Sequence, residues 1–123
     1  MCKIVNVKIN GKTIQVAEIK KKYIQNIVDA AEECDMIDKI IIFGSCIRPD
    51  CKEDSDIDVA VFGSLTRVKG MTSAKYRRFA DRLAMYDDFN QSYDLLYFKS
   101  DENYKEAIMD EIEKGEVLYV RSK

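Results

Sequence analysis

Residues 40–62 constrain this chain more than any other stretch. An apolar run, Ile40 to Phe43, stops at Gly44-Ser45, and a polar connection carrying Arg48 follows. Asp56-Ile57-Asp58 then opens a second apolar run, Val59 to Phe62. Short unbroken apolar runs bounded by turn residues read as buried strands, so Gly44-Ser45 ends one strand and two carboxylates begin the next. Paired aspartates at the mouth of a buried strand are costly as packing. A bound cation removes that cost.

The 123 residues are expected to form a single domain, 1–123, with residues 1–17 as an N-terminal extension. At 46% hydrophobic and 34% charged residues the chain can bury a core and keep a solvated surface. No stretch approaches the ~18 apolar residues of a membrane span, and Met1-Cys-Lys-Ile has no signal-peptide pattern, so the expected location is the cytoplasm. The net charge of −2 supplies no general attraction for polyanions, and nucleic acid is not the expected partner. With no histidine, His-based triads, bases and metal ligands are excluded. Cys2, Cys34, Cys46 and Cys51 form no C-x-x-C pair and read as free thiols, Cys34 in the core.

In chain order, Val5, Val7 and Ile9 alternate with polar residues, Asn10-Gly11 marks a two-residue turn, and Ile14 and Val16 resume the alternation: a β-hairpin over 3–17. Ile19, Tyr23, Ile24, Ile27, Val28, Ala31 and Cys34 form the apolar stripe of a helix from Glu18 to about Cys34, with Lys20, Lys21 and Lys22 fanned on a solvated face. Asp35–Asp38 reads as a turn, with the next strand beginning at Lys39, and the stretch from Gly63 to Gly70 as a polar, mobile connection. A further helix runs from Thr72, as N-cap, to about Tyr86; its core stripe includes Tyr76, Phe79, Ala80 and Leu83. Lys75, Arg78 and Arg82 share another face, read as solvated, with phosphate or an acidic partner as the alternative. Tyr93–Phe98 reads as a third buried strand, Glu102–Lys114 as a last helix stopped by Gly115, and Val117–Val120 as a closing strand. The fold class is α/β (α+β): a small mixed β-sheet with helices packed against it.

Residues two apart on a strand share a face, so Asp56 and Asp58 point the same way, and Asp94 shares its face with Leu96 and Phe98. Should the two strands be neighbours, three carboxylates converge at one sheet edge. Such hard oxygen donors suit Mg2+ (or Mn2+) rather than zinc. Gly44 lets backbone approach a phosphate closely, the Ser45 hydroxyl can donate to phosphate oxygens, and the Arg48 guanidinium suits phosphoryl groups, with Lys52 a weaker candidate.

Gly44-Ser45, ten residues, then Asp56-x-Asp58 resembles the signature of the polymerase-β-like nucleotidyltransferase superfamily, and the short chain resembles its minimal nucleotidyltransferases. Arg48, Ser55 and Asp94 match the loop arginine, the serine before the first aspartate, and the third carboxylate of that pattern; Pro49 departs from the small residue usual after the arginine. The resemblance spans residues 19–120. It implies transfer of a nucleoside monophosphate, AMP from ATP or another NTP, to a hydroxyl acceptor with release of pyrophosphate. Asp56, Asp58 and Asp94 are then the metal ligands, Asp94 the general base, and Gly44, Ser45 and Arg48 the nucleotide-binding residues. It also implies an MNT-type antitoxin working beside a HEPN-like partner protein and modifying a tyrosine on it. The alternative is a non-catalytic module of the same fold that neutralises or scaffolds a partner.

Overall fold

The structure is a computed structural model and describes residues 2–121. Strands β1 (Ile4–Ile9) and β2 (Lys12–Ala17) form the expected antiparallel hairpin. Its turn uses left-handed backbone at both central residues, φ 49° at Asn10 and 80° at Gly11, the conformation a two-residue hairpin loop demands. The hairpin is more than an appendage, since Ile14 and Val16 lie in the main core.

Helix α1 (Lys21–Glu33) is preceded by a tighter 3-10 turn over Glu18–Lys20. Tyr23, Ile24, Ile27, Val28, Ala31 and Cys34 are buried as the stripe requires, but the tight turn shifts its phase. Ile19 faces outward and Lys20, expected on a solvated face, is 1% exposed.

Strands β3 (Ile37–Phe43), β4 (Ile57–Gly63), β5 (Tyr93–Lys99) and β6 (Glu116–Val120) make one mixed sheet in the order β5-β4-β3-β6. β4 is antiparallel to β3 and parallel to β5, while β6 pairs antiparallel with the other side of β3. β3 starts two residues before the expected Lys39. One sheet face, with Ile40, Ile42, Ile57, Val59, Val61 and Tyr97, shares the main core with the hairpin, α1 and helix α3 (Ala74–Met85). The other face, with Ile41, Phe43, Ala60 and Phe98, carries a smaller core closed by Ile112 of α4 (Ile108–Glu113).

Three connections differ from expectation. The stretch before Gly70 is ordered into helix α2 (Arg67–Thr72), capped by the Thr66 hydroxyl, which accepts from the Lys69 N–H at 3.3 Å. The cap of α3 is Ser73, accepting from the Tyr76 N–H at 3.1 Å, because the Thr72 hydroxyl is already bonded back to Val68 O at 2.8 Å. The last helix covers only Ile108–Glu113 instead of 102–114. Upstream of it, Tyr104 turns onto Phe98, ring centroids 5.0 Å apart, and its hydroxyl accepts from the Lys99 N–H, an arrangement a continuous helix would not allow. The Lys75/Arg78/Arg82 face is largely satisfied within the chain: Lys75 pairs with Asp35 at 2.7 Å and Arg82 with Glu33.

Candidate active site

The end of β3 and the starts of β4 and β5 meet at one edge of the sheet. Phe43 pairs with Asp58, and Asp58 pairs in parallel register with Asp94. Register partners on adjacent strands project from the same face, here the one bearing the smaller core. Asp56 stands two residues upstream, exposed, just before β4 begins. The structure therefore brings Asp56, Asp58 and Asp94 to one edge, and their charges act on one another.

That field is visible at Asp58. Burial pushes its carboxyl above the ordinary value; the negative charges of Asp94 and then Asp56 add to the rise, and Arg48 opposes it. The ion pairs among the described residues use Glu33, Asp35, Asp50, Asp87, Glu106 and Glu111, and leave these three aspartates unpaired. A half-buried carboxylate repelled by two others is the environment a divalent cation would relieve. All three donors are oxygen, so the set fits Mg2+ or Mn2+. Among the described residues no three Asp, Glu or Cys side chains are gathered as a ready-made cage. An open acidic edge is what Mg2+ uses when waters and substrate phosphates complete its shell.

Gly44 begins a 3-10 turn over Gly44–Ile47 that follows β3 directly. Its φ of 76° is left-handed, and a Cβ placed there would overlap the Asp58 carboxylate. Glycine thus serves both the turn and the close approach of Asp58. Ser45 is half-buried in the same turn. The Cys46 thiol points inward and donates to Phe43 O at 3.2 Å; burial pushes it up to about 12, so it stays a protonated core group despite its place beside the site. All four cysteines are free.

Arg48 lies close enough to lower the Asp58 carboxyl but is half-exposed, with Nε 3.2 Å from Asp50 and Nη1 3.6 Å from Glu111. A phosphate would compete with these two surface carboxylates for it. Pro49 loses its N–H but its carbonyl is used, accepting from the Cys2 N–H at 2.8 Å. Ser55 faces its own loop, where its hydroxyl accepts from the Lys52 N–H at 3.0 Å.

Sequence reasoning missed Lys20 and Gln91. Both are buried polar residues bonded to the backbone just before Asp56 and Asp94. No local signal marks either, since a lysine run at a helix start reads as solvated and the acceptors come from distant segments.

A mixed sheet whose adjacent parallel strands both carry an aspartate at their second residue, beside a glycine turn, is the framework of a nucleotidyltransferase domain. The family described as "Polymerase beta, Nucleotidyltransferase" matches residues 25–123, and the chain belongs to it. Membership supports nucleotidyl transfer as the general class of activity. No curated protein matches the sequence. Among the described residues no helix is long and apolar enough to cross a membrane.

Proposed function

We propose that this protein moves a nucleoside monophosphate, AMP from ATP, onto a hydroxyl of a partner protein and releases pyrophosphate. The observation that carries the reading is the parallel register of Asp58 with Asp94, beside the Gly44-Ser45 turn.

In this reading Asp56, Asp58 and Asp94 hold Mg2+ or Mn2+. Bound there, the cation would neutralise charge on the triphosphate and stabilise the departing pyrophosphate. The chain's own residues do the rest. Gly44 admits the phosphates close to the backbone, the Ser45 hydroxyl donates to a phosphate oxygen, and Arg48 exchanges its surface carboxylates for phosphoryl oxygens. Asp94 accepts the proton of the acceptor hydroxyl as its oxygen attacks the α-phosphorus. The new oxygen–phosphorus bond forms as the bond to the β-phosphate oxygen breaks, and the electron pair leaves with pyrophosphate. Positioning and charge stabilisation supply most of the rate in such a reaction.

A protein hydroxyl, a tyrosine on a helical HEPN-type partner, is the preferred acceptor. A net charge of −2 supplies no general attraction for a polynucleotide, and Lys75 and Arg82 of the basic helix face are paired within the chain. The test incubates the protein with Mg2+, ATP labelled on the α-phosphate, and either a candidate partner or RNA. Label on the partner with pyrophosphate released supports the reading. Label on RNA ends overturns the choice of acceptor, and ATP binding without pyrophosphate release marks a binding module instead.

A further inference from the structure

Lys20 precedes residue 25, where the family match begins, yet its buried side chain reaches the loops that lead into β4 and β5. Its ammonium donates to Glu53 O at 2.9 Å, Ser55 O at 2.7 Å and Gln91 Oε1 at 2.6 Å. Three acceptors match the three donors of a lysine ammonium, which satisfies a group that is otherwise costly to bury. Gln91, 4% exposed, has its oxygen directed to Lys20, and its Nε2 donates to Ser55 O at 3.0 Å and Ser92 O at 2.7 Å. The Ile57 N–H donates to the same Ser92 carbonyl at 3.1 Å. Apart from the Lys20–Gln91 side-chain contact, every bond in this network ends on the carbonyl of residue 53, 55 or 92, just ahead of Asp56 and Asp94.

These segments need such support. Residues 51–56 are irregular and residues 87–89 all take left-handed backbone, with φ of 61°, 53° and 63° at Asp87, Asp88 and Phe89. The ladder between β4 and β5 begins at the Ile57–Tyr93 pair and holds Asp58 against Asp94, but Asp56 stands one residue outside it, at the end of the irregular segment. We propose that Lys20 and Gln91 are positioning residues, a buried brace that sets the spacing of Asp56 and Asp94 and through it the divalent-cation affinity of the edge. The inference rests on the acidic edge being the cation site. It adds two residues that touch neither cation nor nucleotide, one of them outside the matched family region.

Charge and geometry make opposite demands, which gives the test its sign. Removing a nearby cation should by electrostatics alone tighten Mn2+ binding, whereas loosening the brace should weaken it. The experiment titrates Mn2+ by electron paramagnetic resonance against the full chain as wild type, Lys20→Met and Gln91→Met. It also follows amide hydrogen exchange of residues 53–58 without metal. Both variants are expected to bind Mn2+ roughly 10-fold more weakly, as loss of supporting bonds behind metal ligands does, and to exchange faster over 53–58. Gly70→Ala, a destabilising change on the far side of the sheet, controls for general loss of stability and should leave Mn2+ affinity unchanged. Should Lys20→Met not fold, the neutral, similarly sized Gln91→Met decides alone. Unchanged or tighter Mn2+ binding in a folded variant overturns the brace, as does equal weakening by Gly70→Ala. Wild-type protein that takes up no Mn2+ overturns the functional reading instead, and with it the role given to the brace.

Discussion

Asp58 of β4 and Asp94 of β5 are partners in parallel register, so two carboxylates from segments 36 residues apart in sequence emerge side by side from one sheet face. Burial and the charge of Asp94, with that of Asp56, hold the Asp58 carboxyl above its ordinary value. Folding without a cation therefore works against ionisation of Asp58.

Asp58→Asn should separate that cost from the activity. The folded protein holds the Asp58 proton more tightly than the unfolded chain does, so the contribution of this group to stability declines as pH rises from the ordinary carboxylate value through the raised one. In chelator, the variant should match wild type at about pH 3, below the ordinary carboxylate pKa, and melt at an equal or higher temperature at neutral pH. Mg2+ should then raise the melting temperature of wild type and not of the variant. Transfer should fall on the order of 100-fold or more. Thermal melts at both pH values and pyrophosphate release provide the measurements; a variant with full activity would falsify the assignment.

Gly44→Ala should damage fold and site together. Left-handed backbone costs a residue with a Cβ about 1–2 kcal/mol, and the added carbon must displace the Asp58 carboxylate. Urea unfolding should report that loss, and Mn2+ affinity should drop beyond what stability explains. An unchanged Mn2+ titration would mean that Asp58 is not a ligand.

Arg48→Ala should leave stability within about 0.5 kcal/mol, because its ion pairs with Asp50 and Glu111 are half-exposed. If Arg48 grips the triphosphate, KM for ATP should rise more than kcat falls. A kcat defect at unchanged KM would instead assign the arginine to the transition state.

Gly70→Ala sets helix propensity against packing. Alanine favours a helix by about 1 kcal/mol over glycine, but its Cβ would run into the ring of Tyr97, which is 1% exposed and donates to Leu65 O at 2.9 Å. Overpacking of this kind costs about 1–3 kcal/mol, so packing should win and denaturant unfolding should show a net loss. Per-molecule transfer should persist, since Tyr97 faces the main core and the aspartates face the other side.

What could be read from the sequence was local. The Val5/Val7/Ile9 alternation with Asn10-Gly11 specifies a hairpin because turn and pleat are set by neighbouring residues. The spacing of Asp56 and Asp58 brings both to the mouth of β4, although Asp56 itself stands just outside the strand, and Gly44 announces a turn because few other residues accept its backbone. The stripe from Tyr23 to Cys34 is likewise a one-helix property. Tertiary structure decided what depends on distant partners. Asp94 joins Asp58 only through the parallel register of β4 and β5, which packing on both faces of the sheet selects. Tyr104 leaves the expected helix because Phe98 and the Lys99 N–H, on another element, offer it more than a further turn would. Lys20 is buried because carbonyls 33 and 35 residues away and an amide oxygen 71 residues away converge on its three donors. No period or motif encodes that convergence, since it exists only once the loop before β4 and the loop before β5 lie side by side.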